Sequence, residues 1–296
     1  MAIMSMTGFG RGEVCENGVK VVVELSAVNR KQFDCSFSMP RELASLESKL
    51  HALVHARVVR GYIKGLVTVA SAGSEGGAAP GIDLAAVHAQ IRALRTAAEK
   101  LGLADDLTAS ALLRFPDVVL RGNLLPADPL EIWPQAERAT QSALACLEVM
   151  RQREGEALER DLRSRFAALK TVGGEIAQLA PAVPQAYKET LEKRLAELLG
   201  PGCVADPALI AREVAVFADR CDVSEELTRL SSHFVQVGKV LDEGGACGRT
   251  LDFLCQELFR EINTTGSKAN NADISRLVIG FKAGLEAIRE QVQNVE

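Results

Sequence analysis

Glu257 and Glu261 stand four residues apart in a stretch whose apolar positions, Leu251, Leu254, Leu258 and Ile262, recur at helical spacing. That spacing stacks the two carboxylates one turn above each other beside a buried stripe. Like charges so placed repel by roughly 0.2–0.5 kcal/mol unless a cation lies between them, so the pair is a candidate metal or arginine site. A second set precedes it. Asp222, Glu226, Arg229 and His233 fall at steps of four, three and four, which puts acid, acid, base and imidazole on one face of a helix expected from about Asp206 to Leu241. The same residues also fit a solvated face laced by pairs such as Glu225 with Arg229. If the two helices pack antiparallel, Asp222, Glu226, Glu257 and Glu261 converge with His233 around a divalent ion. Oxygen-rich ligation suits Mg²⁺ or Mn²⁺, and the imidazole tilts the choice toward Mn²⁺. His233 is also the best-placed general base, because His51, His55 and His88 lie in segments that read as helix surface.

Two glycine-containing stretches are weaker than they look. Asn263-Thr264-Thr265-Gly266-Ser267-Lys268 reads as a polar turn, yet it lacks the phosphate-loop frame and no strand precedes it, which argues against a nucleotide triphosphate site. Gly8-Phe9-Gly10-Arg11-Gly12 opens a hairpin rather than a strand-to-helix turn, so its glycines are expected to allow a bend or bulge.

The elements around these residues give an α+β chain. Val-rich alternation after Glu16-Asn17-Gly18 predicts a hairpin from about 3 to 38, ended by Pro40. Leu43, Leu46, Leu50, Val54 and Val58 predict a helix, and Tyr62 to Val69 a strand, giving a β-β-α-β order. The Gly/Ala/Ser tract from Ser71 to Gly81 reads as a loop. Asp83 then caps a helix to about Lys100, Thr108 starts a short one, and Pro116 through Pro129 is irregular with a turn at Arg121-Gly122-Asn123. Helices follow, from Pro134 to Leu179 with an interruption near Gly173-Gly174, and from Gln185 to Leu199. Gly200-Pro201-Gly202 breaks the chain, and Asp206-Pro207 starts the next helix. The organisation expected is an N-terminal α+β domain over 1–155, a helical arm over 156–204 and an all-helical C-terminal domain over 205–296. Phe281, Leu285, Ile288, Val292 and Val295 form a heptad seam that wants a helical partner, within the chain or from another copy.

Composition narrows the function classes. The 296 residues carry a net charge of -5, yet residues 1–64 hold nine basic against six acidic side chains, which allows a basic surface on an acidic molecule. Aromatics are only 4%, so contact with nucleic acid would lean on phosphates. Seven cysteines without a C-x-x-C pair predict reduced thiols, and the absence of a signal segment or a long apolar run predicts a cytoplasmic protein.

Longer motifs carry a resemblance. Gly248-Arg249-Thr250-Leu251-Asp252-Phe253, Gln256-Glu257, Arg260-Glu261-Ile262-Asn263-Thr264, Gly266-Ser267-Lys268-Ala269 and the ending from Arg289 to Glu296 resemble the YicC/YloC family of bacterial endoribonucleases. Ser5-Met6-Thr7-Gly8-Phe9-Gly10-Arg11, Val28-Asn29, Phe33-Asp34 and Arg60-Gly61 resemble its N-terminal motifs. The resemblance implies metal-dependent cleavage of single-stranded RNA by a ring-shaped homo-oligomer, a hexamer. It matches Asp222, Glu225, Glu226, Arg229 and His233 to one family motif, and together with the expected convergence of the two helices this assigns catalysis to Glu226, His233, Glu257 and Glu261. Arg260 or Lys268 would neutralise the phosphorane. Asn263, Ser267 and Lys268 would hold the scissile phosphate, and Arg11, Asn29, Arg30, Lys31, Arg60, Lys64 and Arg249 would grip RNA. The chain departs from the family where Ser26-Ala27-Val28-Asn29-Arg30-Lys31 replaces an Arg-Ser-Val-Asn-x-Arg pattern, and where Tyr62-Ile63-Lys64 replaces Lys-x-Glu. Three alternatives stay open: His233 acting as base on the RNA 2′-hydroxyl without metal, a non-cleaving adaptor that delivers small RNAs to another nuclease, and a helical scaffold.

Overall fold

The computed structural model describes residues 2–30, 32–58, 60–71, 81–82, 84–102, 108, 119–120, 129–199 and 206–296. Lys31, the Asp83 cap, the short helix after Thr108, the 121–123 turn and the Gly200-Pro201-Gly202 breaker lie outside them, as does nearly all of the 71–81 loop. The chain divides into two units, one of Phe9–Glu148 and one of Met1–Gly8 with Val149–Glu296.

The Phe9–Glu148 unit is built on a four-stranded sheet. Strands β1 (Gly8–Glu16) and β2 (Val19–Val28) are joined by Asn17-Gly18, whose φ values of 52° and 77° are the left-handed pair a tight hairpin needs. Strand β3 (Asp34–Ser38) leads through a 3-10 turn into helix α1 (Glu47–His55) and strand β4 (Tyr62–Ser71). The sheet order is β1-β2-β4-β3; β4 runs antiparallel to β2, with Val28 opposite Tyr62, and parallel to β3, with Asp34 opposite Tyr62. The hairpin is therefore shorter than its predicted 3–38 span. Residues 34–38 form a strand whose only partner among the described residues comes after α1, a non-local pairing that local alternation does not report.

Alternation along β2 and β4 buries Val21, Val23, Leu25, Ile63 and Val67 against Leu43, Leu46, Leu50 and Val54 and against Ala136, Ala139, Ala143 and Leu147 of a long helix, α3 (Trp133–Leu179). Gly10 and Gly12 are the reason β1 reaches that helix: a Cβ on either would stand 2.0 Å from the Ala143 or Ala139 carbonyl oxygen. They serve close approach to small residues, not a bend. Strands β5 (Gly81–Ile82) and β6 (Val119–Leu120) pair antiparallel, and helix α2 spans Leu84–Leu101.

The other unit is helical. Beyond Val149 it holds the remainder of α3, then α4 (Val183–Leu199), α5 (Pro207–Cys221), α6 (Ser224–Glu243), α7 (Gly248–Lys268) and α8 (Ala272–Val292). Helix α3 passes through Gly173-Gly174 without the predicted interruption. Each mid-helix glycine costs about 1 kcal/mol relative to Ala, which packing offsets here, since a Cβ on Gly173 would come within 2.9 Å of Leu230. Asp206 caps α5, accepting from the Ala208 amide at 2.9 Å, as Asp206-Pro207 predicted.

The core joins Leu251, Leu254, Leu258 and Ile262 of α7 to Phe234 and Val237 of α6 and to the heptad seam of α8. Phe281, Leu285, Ile288, Val292 and Val295 are each no more than 2% exposed, so the seam is satisfied inside the chain. The chain ends are tied in: Met4 and Glu296 exchange backbone hydrogen bonds of 3.0 and 2.9 Å, and buried Arg151 donates to the Ser5 carbonyl at 2.6 Å while pairing with Glu296. Cys221, Cys247 and Cys255 are buried thiols, and burial pushes Cys255 up to about 12. Among the described residues no helix is long and apolar enough to cross a membrane.

Candidate active site

Asp222 sets the start of the site. The helix predicted from Asp206 to Leu241 is two helices, because Asp222 adopts an extended backbone (ψ 122°) and its carboxylate accepts from the Ser224 amide at 2.9 Å and the Ser224 hydroxyl at 3.1 Å. These bonds hold its carboxyl below the usual aspartate range. Asp222 is thus the C-cap of α5, bonded to the first residue of α6, and does not share the helical face of Glu226, Arg229 and His233. The Asx-type hydrogen bond competes with continued helix, the general reason Asp favours such ends.

From that cap, α6 and α7 form an antiparallel pair, joined through Gly244 and Gly245, both at positive φ. Two polar contacts fix their register. Lys268 Nζ lies 2.7 Å from Glu226 Oε1, and Arg229, paired with Glu225 on its own helix, reaches Glu261 Oε1 at 3.8 Å. The register then sets His233, seven residues after Glu226, level with Glu261, seven residues before Lys268. Sequence spacing had brought these residues to two helix faces, and the structure brings the two faces together.

Burial makes the arrangement unusual for charged groups. The Glu226 side chain is 8% exposed and that of Glu261 11%. Buried carboxylates need partners, since desolvation of an isolated charge is costly. Glu226 Oε1 has Lys268, but among the described residues Glu226 Oε2 is buried without a hydrogen-bond partner, and so is His233 Nδ1. The Glu226 hydrogen bond holds Lys268 above its ordinary range; desolvation opposes this, and the charges of Glu226, Glu225 and Asp222 add to it. Lys268 is therefore a persistent cation beside a half-satisfied carboxylate.

The stacked pair Glu257 and Glu261 draws arginines. Arg260 donates to Glu257 at 2.6 Å, and its own side chain is 72% exposed. Among the described residues, no three His, Cys, Asp or Glu side chains stand as a group able to hold an ion. The donor types nevertheless suit one: an imidazole nitrogen without a partner, level with the mostly buried Glu261, and Glu257 one turn further along α7. His233, Glu257 and Glu261 would have to close on the ion, and Glu226 would join only by giving up Lys268.

The remaining expected residues divide. Asn263, Ser267 and Lys268 are in the last turns of α7, which continues to Lys268 where a polar turn was predicted. Thr264 and Thr265 hydroxyls return to the Arg260 and Glu261 carbonyls, at 3.1 and 2.9 Å, so these polar residues satisfy themselves within the helix. A Cβ on Gly266 would come 2.9 Å from Val278, so this glycine marks close approach of α8. Arg249 is exposed in the first turn of α7, about 28 Å along the helix from Lys268. Arg11, Asn29, Arg30, Arg60 and Lys64 belong to the Phe9–Glu148 unit. There Arg11 pairs with Glu13 and Glu24, Arg30 pairs with Asp34, and Arg60 Nε is buried without a partner. Sequence reading placed Arg229 on the face but missed its bridging of Glu225 to Glu261, which only the register between helices reveals. The motif residues Asp252 and Arg289 pair at 3.3 Å between α7 and α8 and serve packing.

Comparison with known proteins agrees with both ends of the chain. Residues 3–160 match the family described as Endoribonuclease YicC-like, N-terminal region, and residues 176–296 match Endoribonuclease YicC-like, C-terminal. A protein named "probable endoribonuclease YicC" from Clostridioides difficile (strain 630) is 36% identical over 304 residues, covering all of both chains. One of the same name from Haemophilus influenzae (strain ATCC 51907 / DSM 11121 / KW20 / Rd) is 31% identical over 294 residues, covering 99% of this chain and all of its own. With family matches over both halves and full-length relatives above 30% identity, this chain belongs to the YicC-like endoribonuclease family.

Proposed function

We propose that this chain is an endoribonuclease that cleaves single-stranded RNA at the α6–α7 face. The observation that carries this reading is Glu226, a buried carboxylate with one oxygen on Lys268 at 2.7 Å and the other without a partner. A phosphodiester is an anion that competes with Glu226 for Lys268 and with Glu261 for Arg229. As these cations turn to the phosphate, their positive charge meets the negative charge that grows on the phosphorane, and the carboxylates they leave become available as bases. An attacking water loses its proton to Glu226, its oxygen bonds to phosphorus, and the opposite phosphorus–oxygen bond breaks, the leaving ribose oxygen taking a proton from solvent; Lys268 and Arg229 stabilise the oxyanions throughout.

A divalent ion, Mn²⁺ or Mg²⁺, is part of this proposal, with His233, Glu257 and Glu261 as its holders. When bound it would polarise a phosphoryl oxygen and lower the pKa of water. A cytoplasmic, ring-shaped homo-hexamer and an RNA grip by the N-terminal cations and by Arg249, Asn263 and Ser267 are proposed on the family resemblance. The unpartnered His233 Nδ1 favours a second reading, in which His233 takes the proton of the RNA 2′-hydroxyl and leaves a cyclic phosphate.

The test is incubation of the purified chain with an end-labelled single-stranded RNA in Mn²⁺, in Mg²⁺ and in EDTA. Internal cutting with metal supports the proposal. Cutting in EDTA with cyclic-phosphate ends supports the His233 route, and RNA that is retarded but intact in every lane makes the chain an adaptor.

A further inference from the structure

Among the described residues, α1 and α3 cover one face of the four-stranded sheet. Its other face carries Phe9 (47% exposed), Val28 (50%) and Leu66 (40%), alongside Arg11, Ser26, Ser36, Tyr62 and Lys64. Side chains alternate along a strand, so Phe9 shares the outward face of Arg11, which the ion pair with Glu24 at 3.8 Å fixes over β2. Register orders the rest. Lys64 stands opposite Ser26 on β2 and Ser36 on β3, and Tyr62 stands opposite Val28 and Asp34.

Lys64 is exposed in the middle of this face and has no ion-pair partner among the described residues, whereas Arg11, Lys20 and Arg30 are each matched to an acid. Its two cross-strand neighbours are the hydroxyl residues Ser26 and Ser36, and the Ser36 hydroxyl meets the Tyr62 hydroxyl at 2.6 Å, which brings the Tyr62 ring beside the ammonium. Apolar and aromatic side chains stand at the margins: Phe9 on the β1 side, Val28 with Tyr62 in the adjoining row, and the Arg30 guanidinium 5.6 Å from the Tyr62 ring centroid.

We infer that the open face of the β1-β2-β4-β3 sheet is a platform for single-stranded RNA, with a base stacked on Phe9 and a phosphate on Lys64, and that it selects unpaired strands before the α6–α7 site cuts them. The inference rests on the nuclease reading for RNA as the occupant and for its last clause; the surface itself, with Phe9 as the stacking ring, is argued from the sheet. A central uncompensated cation between hydroxyls suits an anion better than the apolar anchor of a protein partner, and stacking on an exposed ring tolerates any base. Bases inside a duplex are already stacked and cannot reach the ring, which is how such a surface discriminates.

The experiment is fluorescence anisotropy of a labelled 20-nucleotide RNA, single-stranded and as a duplex, with the full chain in EDTA. The parent, Phe9→Ala, Phe9→Tyr and Lys64→Ala are compared, with molecular mass by light scattering. Phe9→Ala is expected to weaken single-strand binding about tenfold and leave duplex binding unchanged, with Phe9→Tyr restoring it. Lys64→Ala is expected to weaken both and lower the salt slope by about one. Unchanged single-strand affinity in Phe9→Ala overturns the platform even if the parent cuts RNA. A change of mass in that variant without a change in RNA affinity overturns it in favour of a contact between copies. Phe9-dependent binding by a parent that never cuts keeps the platform and removes the nuclease.

Discussion

Lys268 and Glu226 meet at 2.7 Å across two helices, with the carboxylate almost wholly buried and its second oxygen left without a partner. A pair built only for stability would satisfy both oxygens. Lys268→Ala is therefore expected to lower the single-turnover rate of RNA cleavage about a hundredfold, the scale of losing one donor to a developing oxyanion. Lys268→Arg should recover part of it. Circular dichroism of both variants checks that the helices persist.

Gly10 and Gly12 should be intolerant, and Gly174 tolerant, of one methyl group. A Cβ on either of the first two meets backbone oxygen at 2.0 Å, so Gly10→Ala or Gly12→Ala is expected to cost about 3 kcal/mol or to prevent folding of the sheet. Gly174 has nothing within 4 Å in its helix, and Gly174→Ala should stabilise by about 0.4–1 kcal/mol. Thermal melts of the three variants make the comparison.

The two shifted groups at this end of the hairpin act at opposite ends of the pH scale. Asp222 is depressed by its bonds to Ser224, so its contribution is present above the ordinary aspartate range and is lost as pH falls through its lower folded value. Lys268 is raised, first by its hydrogen bond with Glu226, so its contribution is present below 10.5 and is lost as pH rises through its higher folded value. Between these limits both are charged. Asp222→Ala should lower Tm by a few degrees at pH 7, and the difference from the parent should vanish in strong acid.

Arg151 is only 4% exposed, donates to the Ser5 carbonyl and pairs with Glu296. Arg151→Ala leaves that carbonyl and carboxylate without their cation, a change expected to cost about 3–5 kcal/mol. Urea titration should show a lower midpoint, and hydrogen exchange should show faster exchange at Met4 and Met6, whose amides bond to Glu296 and Asn294.

Much of this fold was legible where periodicity is local. Leu251, Leu254, Leu258 and Ile262 declared a buried stripe and are buried, and Asn17-Gly18 declared a hairpin turn and forms one. The errors share a cause, which is that the deciding contact comes from elsewhere in the chain. Strand β3 exists because β4 returns beside it; Gly173 stays helical because Leu230 packs there; and Gly266, read as part of a turn, marks the approach of Val278. At the site, spacing alone placed Glu226 and His233 on one face and Glu257 and Glu261 on another. It also counted Asp222 into that face, because helical spacing is blind to a capping side chain that ends one helix and begins the next. The register that joins Lys268 to Glu226 and Arg229 to Glu261 could not be read from either helix by itself.

The central claim is that the face between α6 and α7 does the chemistry. Its most direct test is the single-turnover cleavage rate of an end-labelled single-stranded RNA by the parent and by a Glu226→Gln/Glu261→Gln variant shown folded by circular dichroism and still able to bind RNA. The account predicts a loss of at least about a hundredfold in the variant, with binding retained. Cleavage at the parent's rate would contradict it and return these buried carboxylates to a role in packing alone.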